Sequence, residues 1–327
     1  MQAADAPSLR YLPGGLFGAV MGLAGLGIAW RRAEGALTWH GEFWSLLGVL
    51  AFAALVAAYL AKWRRHPDAV RAELANPALL GFCAALPVGM TLVAASLRPY
   101  ALPLAQAVWW GGVALLFVFQ LWGLSLFLRG GVTAAQVNGG WMILFVGGIV
   151  VPSSGLDLGH ELVSQWFFGV SATLAPFVMG LVLWRALFGP PLPDAVKPST
   201  FILLVPPSLV YANGIALGVA ENVFLQGLFF TGLVLLAAIA VAMRGCLRWP
   251  FGAPWWAFTF PLDALAAAAG LHAELHPSGP WKWIAQGLLL LATAVVTFVL
   301  ARTLVALRTG QLLSAPPAVP PAPATSA

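Results

Sequence analysis

Charged residues are scarce in this chain of 327 residues. They make up 8% of the sequence, whereas hydrophobic residues make up 61%, and a soluble domain carries about 25% charged residues. The mean hydropathy is +0.89. This composition excludes an ordinary soluble domain and predicts a polytopic membrane protein. The net charge of +5 comes from scattered basic residues, so it does not indicate nucleic-acid binding, and we predict no nucleic-acid partner.

Several chemical signatures are also missing. The two cysteines are Cys83, within an apolar run, and Cys246, at the end of another, which gives no basis for a disulfide framework or a metal–thiolate site. The chain has no Gly-x-x-x-x-Gly-Lys-Ser/Thr loop, so nothing supports ATP-driven transport. Groups that could converge for catalysis are nearly absent at membrane depth. We therefore predict neither an enzyme nor a bound cofactor or metal.

Long apolar runs predict ten membrane spans. Their approximate limits are 12–30, 43–62, 78–97, 102–128, 139–156, 162–188, 199–219, 222–244, 253–274 and 281–307. The fifth run is the weakest, because it holds Pro152, Ser153, Ser154 and Asp157. We expect this span to be broken or short.

The basic residues divide unequally between the two sides of these ten spans. One side holds Arg31, Arg32, Arg98 and Lys282. The side of both termini holds Arg10, Lys62, Arg64, Arg65, Arg71, Arg129, Arg185, Lys197, Arg244, Arg248, Arg302 and Arg308. Because cytoplasmic loops carry the excess of Lys and Arg, this pattern predicts that both termini are cytoplasmic.

Helix-disturbing residues recur in every second span. We interpret six prolines of the odd-numbered spans as kinks: Pro13, Pro87, Pro152, Pro206, Pro207 and Pro261. The even-numbered spans are mostly smooth, with Pro176 in the sixth as the exception. Prolines are simply common in membrane helices, which is the alternative explanation. Irregular backbone at membrane depth survives where it is buried or lines a cavity, so the alternation predicts five helical hairpins, with bent helices around a central path and straight ones outside.

The two ends of the chain differ in character from the rest. Residues 1–9 and the Pro/Ala-rich tail 309–327 are predicted to be disordered. Residues 10–308 are predicted to form one transmembrane channel or transporter domain.

The ninth run contains an unusual combination of residues. Its segment WWAFTFPLDALAA, residues 255–267, places Pro261 and Asp263 inside an apolar span, and Asp263 follows Phe260 by three residues, on roughly the same helical face. A carboxylate at this depth costs several kcal/mol unless it is paired or hydrated. Asp263 could be neutral through burial, could be a structural group hydrogen-bonded to Asn213 or Ser208, could couple transport to a proton, or could contact the substrate.

Two histidines stand four residues apart at the end of the ninth run. The spacing of His272 and His276 can bind a metal, but Glu274 between them falls on a different helical face. The sequence therefore favours a wet interface without metal.

Four segments together resemble the tellurite-resistance/dicarboxylate transporter family, which includes bacterial tellurite-resistance proteins and plant slow-type anion channels. They are PGGLFG (13–18), RHPDAVRAEL (65–74), KPSTFILLVPP (197–207) and WWAFTFPL (255–262). The resemblance implies ten transmembrane helices as five hairpins in a quasi-fivefold arrangement around a central pore, assembled as a homotrimer. It implies that Phe260 plugs the pore and that Gly15 and Gly18 allow close packing of the first helix. Without the resemblance, we would interpret Phe260 as an ordinary aromatic residue that packs in the core.

The residues and the resemblance favour a passive anion channel of the bacterial inner membrane. An apolar ring in a narrow pore blocks hydrated ions, and a rotamer change can reopen it. No Lys or Arg lies deep in a span, so we expect modest anion selectivity. Small inorganic or organic anions and membrane lipid are the expected partners. The alternative is a proton-linked carrier or exporter of C4-dicarboxylates or of oxyanions such as tellurite and sulfite.

Overall fold

The structure, a computed structural model, describes residues 8–35 and 38–314. Within these ranges the chain is entirely helical and has no strand. Eight helices are long and apolar enough to cross a membrane. The prediction of an all-α integral membrane protein is therefore confirmed.

The helices follow one another with short connections. In chain order they are α1 (Gly18–Glu34), α2 (Trp39–Arg65), α3 (Pro67–Ala75), α4 (Pro77–Cys83), α5 (Ala85–Leu97), α6 (Leu102–Arg129), α7 (Gly140–Val146), α8 (Pro152–Gly155), α9 (Glu161–Phe188), α10 (Val205–Ala216), α11 (Val223–Ala242), α12 (Thr259–Leu275) and α13 (Trp281–Arg308).

Two kinds of segment alternate along the chain, as the proline pattern predicts. In an interrupted segment the α-helix is preceded or broken by a 3₁₀-helix or a turn, and in a continuous segment one α-helix runs the whole length. Four of the interrupted segments contain a 3₁₀-helix: Gly14–Phe17 before α1, Gly147–Val150 between α7 and α8, Lys197–Leu204 before α10, and Ala253–Phe258 before α12. The remaining one breaks at Ala84, between α4 and α5. By contrast, α2, α6, α9, α11 and α13 are each continuous over 20 to 28 residues.

The six prolines of the interrupted segments lie at or near the start of a helix. Pro152, Pro206, Pro207 and Pro261 lie in the first turns of α8, α10 and α12, where a backbone N–H has no helical partner to lose. Pro87 likewise falls in the first turn of α5, and Pro13 precedes a 3₁₀-helix. They lie close to the places where a 3₁₀-helix or a turn changes to an α-helix, and their role as kinks of the pore helices stays a prediction.

The interrupted segments lie inside and the continuous ones outside. In the interrupted segments of at least 18 residues, 67% to 72% of an apolar stretch of 18 residues is buried. In the continuous helices the corresponding share is 17% to 33%. Of the predicted spans, Gly140–Gly155 is a shorter apolar helix and the segment at α12 is not among the eight. Gly140–Gly155 is almost fully buried, and 11 of the 17 residues of α12 are buried.

The first interrupted segment is held by a buried ion pair at its start. The Lys62 Nζ donates to the Leu12 carbonyl and to the Glu73 carboxylate, both at 2.7 Å. Glu73 lies on α3 and also accepts hydrogen bonds from the Gly14 amide and the Tyr59 hydroxyl. The polar connection between α2 and α4 therefore stabilises the position of the chain that leads into α1.

The folded part extends slightly beyond the domain limits that the sequence predicts. The Ser8 amide donates to the Leu313 carbonyl at 2.8 Å, and Leu312 is buried. Residues 8–9 and 309–314 thus belong to the folded part. The remainder of the two predicted disordered ends, 1–7 and 315–327, lies outside the described residues.

Candidate functional site

A narrow apolar cavity lies where the interrupted segments meet. Its volume is about 40 Å³, room for a few water molecules at most. All five interrupted segments contribute to its wall: Gly15, Gly18, Met21, Phe82, Ala85, Val88, Met142, Ile143, Val146, Gly147, Val150, Ile202, Val205, Pro206, Ala253, Pro254, Trp256, Ala257, Phe260 and Pro261. None of these side chains carries a charge, so a hydrated ion would lose favourable contacts on entering.

Phe260 lies in the wall of this cavity and is buried, with 6% of its surface exposed. Its ring packs on α1 at Gly25. A Cβ atom built on Gly25 would lie 2.8 Å from the Phe260 Cδ2 atom, so only glycine leaves room for the ring there. The absence of a side chain at Gly25 therefore sets the position of the ring.

Asp263 packs against the same glycine. A Cβ atom at Gly25 would lie 3.1 Å from the Asp263 Oδ2 atom, so Phe260 and Asp263 share one face of α12, as their spacing predicts. Asp263 is 2% exposed, and neither carboxyl oxygen has a hydrogen-bond partner among the described residues. An ionised carboxylate is costly in such a place, and the neutral acid is less so.

The two hydrogen-bond partners that we suggested for Asp263 are engaged elsewhere. The Asn213 amide donates to the Ile149 carbonyl at 2.6 Å and to Ser153. The Ser208 hydroxyl donates to the Leu204 carbonyl at 2.7 Å. The expectation that Asp263 is a hydrogen-bonded structural group through these residues is therefore wrong.

A second, much wider cavity of about 590 Å³ lies further along the same helices. Its charged lining residues are Arg32 on α1, Glu274 on α12 and Lys282 on α13. Sequence reasoning used these residues only for topology or passed over them. The position of Arg32 and Lys282 at the ends of predicted spans was the available signal for a charged cavity here.

The order of residues along two helices relates the two cavities. On α12, Phe260 lines the narrow cavity and the lining of the wide cavity begins at Ala266, about 9 Å further along the helix axis. On α1 the corresponding residues are Met21 and Ala29. A route between the cavities would therefore pass the level of Phe260, Asp263 and Gly25.

Glycines of α1 and of the preceding turn allow the close approach of neighbouring segments. A Cβ atom at Gly15 would lie 3.2 Å from the Phe82 Cβ, and one at Gly18 would lie 3.2 Å from the Trp256 Cβ. The sequence singled out these two but missed Gly22, where a Cβ atom would lie 2.1 Å from the Thr259 Oγ1. The small-residue spacing of Gly18 and Gly22, a Gly-x-x-x-Gly pair, was the signal that could have found it.

We expect Gly22→Ala to destabilise the protein by about 1–3 kcal/mol, the usual cost of overpacking. The added methyl group would push Thr259 and the start of α12 away from α1. Denaturant unfolding of the purified protein in detergent measures the change. Gly227→Ala on α11 is the matched control, because nothing lies within 4 Å of its Cβ position. Equal stability of the two variants would contradict the tight packing of α1 on α12.

Comparison with known proteins supports a transport role for this geometry. The family model described as voltage-dependent anion channel matches residues 11–304, which is most of the chain. The chain belongs to this family. Its relationship to the voltage-dependent anion channel family confirms the resemblance drawn from the four sequence segments. Its membrane-capable helices and its family make it a multi-pass membrane protein related to anion channels and transporters.

The individual relatives have low sequence identity to this chain, but the similarity covers most of its length. An uncharacterised transporter of Methanocaldococcus jannaschii is 27% identical over 68% of this chain and 72% of its own length. The guard cell S-type anion channel SLAC1 of Arabidopsis thaliana is 25% identical over 91% of this chain and 56% of its own length. The tellurite resistance protein TehA homolog of Haemophilus influenzae is 25% identical over 79% of this chain and 80% of its own length.

Proposed function

We propose that this member of the voltage-dependent anion channel family is a passive anion channel gated by Phe260. The observation that carries the proposal is the position of the Phe260 ring. It lies in the wall of the narrow apolar cavity, about 9 Å along the α12 axis from the start of the wide cavity that holds Arg32 and Lys282. The apolar constriction stops hydrated anions until the ring moves. The wide cavity, with two basic residues and the one carboxylate of Glu274, has a net positive charge that attracts them.

The proposed architecture has ten membrane segments in five hairpins around one pore. The eight long helices, the stretch Gly140–Gly155 and the segment from Ala253 to Leu275 make up the ten. The contribution of all five interrupted segments to the narrow cavity supports a quasi-fivefold arrangement. A homotrimer, the bacterial inner membrane and cytoplasmic termini complete the proposal, on the resemblance and on the distribution of Lys and Arg.

A reconstituted flux assay tests this function. We expect purified protein in liposomes to carry chloride, nitrate, sulfite and malate down their electrochemical gradients with modest selectivity. The absence of charged residues in the narrow cavity is the physical reason, since dehydration and width then decide passage. Flux that requires an opposing or accompanying ion, or that is confined to a single anion, would contradict a channel.

The second candidate is a proton-linked carrier, and Asp263 favours it. The carboxyl group is buried beside Phe260 without a hydrogen-bond partner, a setting in which loss or gain of a proton would change the local charge strongly. A carrier for C4-dicarboxylates or for oxyanions such as tellurite and sulfite would use that change to couple transport.

Asp263→Asn separates the two candidates. For the channel we expect the variant to show the same voltage-driven flux as the wild type and no response of either to a proton gradient. The reason is that asparagine matches the shape of the neutral acid but cannot release a proton. Proteoliposome flux under an imposed pH gradient and under an imposed voltage measures both cases. Flux driven by protons in the wild type and lost in the variant would favour the carrier.

A further inference from the structure

Glu221, His272 and His276 form a compact cluster of possible metal ligands. Their donor atoms lie within 4.8 Å of one another. The His276 Nε2 is 2.9 Å from the Glu221 Oε2, and the His272 Nδ1 is 3.7 Å from the Glu221 Oε1. The carboxylate that joins the histidine pair is thus Glu221, from the connection between α10 and α11, and not Glu274.

The carboxylate is held in place before any ion binds. The Tyr211 hydroxyl, which is fully buried, donates to the Glu221 Oε1 at 2.9 Å. The next residue, Asn222, caps α11 by accepting hydrogen bonds from the amides of Phe224 and Leu225. A ligand fixed by an outer hydrogen bond and a rigid backbone loses little entropy on binding a metal.

The histidine rings are also fixed. The His272 ring stacks on Phe229, with centroids 4.3 Å apart, and it lies perpendicular to the Trp281 ring, with centroids 4.6 Å apart. Its Nδ1 lies 2.9 Å from the Tyr211 hydroxyl, which places this nitrogen on the side of Glu221. The His276 ring lies beside it, with centroids 4.4 Å apart, and its Nε2 is 3.4 Å from the Gln226 side chain.

The spacing and charge of the three groups suit a transition metal. An ion about 2.0–2.2 Å from two ligands at a tetrahedral angle separates them by roughly 3.3 Å, between the two measured nitrogen–oxygen distances. Binding a metal requires the ionised carboxylate and two neutral imidazoles.

One side of the cluster is open to water. The His276 side chain is 33% exposed and that of Glu221 is 18% exposed, whereas His272 is 2% exposed. An ion can therefore enter and keep a water molecule as a further ligand. Two imidazoles and one carboxylate favour Zn²⁺ and similar ions over Ca²⁺ or Mg²⁺, which prefer oxygen ligands.

We propose that Glu221, His272 and His276 bind one divalent transition-metal ion of the Zn²⁺ class, which links the α10–α11 connection to the end of α12. The site is separate from Phe260 and does not depend on which ion or solute the protein transports. Tyr211 orients Glu221 from behind, and the open side supplies the remaining ligand as water.

Metal titration of the full-length protein in detergent tests the site. After treatment with a chelator, we expect wild-type protein to bind one Zn²⁺ per chain. With Co²⁺ as a spectroscopic probe, we expect the visible absorption of a low-coordinate nitrogen and oxygen site. His276→Ala and Glu221→Gln should each weaken Zn²⁺ binding at least about tenfold, since each removes one of three ligands. Both side chains are partly exposed, so the variants should fold.

Two other variants serve as matched controls. His40→Ala removes a histidine whose Nδ1 lies 3.1 Å from Glu34 but which has no third ligand beside it among the described residues. Glu274→Gln removes the carboxylate that lies between the two histidines in sequence. Both should bind Zn²⁺ as the wild type does, and Zn²⁺ should raise their unfolding temperature but not that of Glu221→Gln. No stoichiometric binding by the wild type, or unchanged binding in His276→Ala and Glu221→Gln, would overturn the proposal.

Discussion

Replacement of Phe260 by alanine is expected to raise anion flux by about tenfold or more. The ring lies in the wall of a cavity of about 40 Å³ and packs on Gly25, so its removal widens the constriction of the proposed pore. A tenfold rise corresponds to a barrier lower by about 1.4 kcal/mol. Chloride flux into liposomes, normalised to the amount of folded protein inserted, is the measurement.

Phe258→Ala is the matched control for this experiment. Phe258 is a buried phenylalanine of the same segment, but it packs on Phe201 and Trp255 and is absent from the lining of the narrow cavity. Its truncation should cost stability, by about 3–5 kcal/mol, without raising flux. If Phe260→Ala changes only stability, as Phe258→Ala should, Phe260 is a packing residue and the gate is ruled out.

The second large effect is expected from Glu73→Ala. This substitution leaves the Lys62 ammonium, 3% exposed, without its carboxylate partner. Removing one member of a buried ion pair costs about 3–5 kcal/mol because the other charge remains buried. It also frees the Gly14 amide, which now donates to Glu73. Denaturant unfolding in detergent should show the loss, together with weaker ordering of the chain before α1.

Asp68→Ala provides the comparison on the same helix. Asp68 pairs with Arg10 on the surface, where its side chain is 60% exposed, and surface pairs contribute little. We expect its stability to match that of the wild type. Similar losses for Asp68→Ala and Glu73→Ala would mean that α3 acts as a whole and that the buried pair has no special role.

Much of the architecture could be predicted because the membrane imposes strong local rules. Hydropathy located the continuous helices, and prolines located the interrupted segments, since both signals depend on neighbouring residues. The shared face of Phe260 and Asp263 followed from a spacing of three residues. What local signals could not specify was the form of the interruption. Pro261 lies in the first turn of a new helix after a 3₁₀-helix, and the sequence alone does not distinguish that from a kink.

Contacts between distant residues could not be predicted. Asp263 packs against Gly25, and Glu73 binds the Gly14 amide. The residues of each pair are far apart in the sequence, so helical periodicity does not predict that they meet. The same limit explains the metal cluster. The four-residue spacing of His272 and His276 was visible in the sequence, but Glu221 reaches them through the packing of α10 against α12, which depends on the whole fold.

The packing of α1 against α12 also has a consequence for biosynthesis. Gly18, Gly22 and Gly25 pack on Trp256, Thr259 and Phe260, so these glycines of α1 find the residues that fill their surface only when α12 has left the ribosome. Until then the glycine surface of α1 must be covered by lipid, by other nascent helices or by the insertion machinery. A chain that ends before α12 therefore lacks the side chains that pack into this glycine surface.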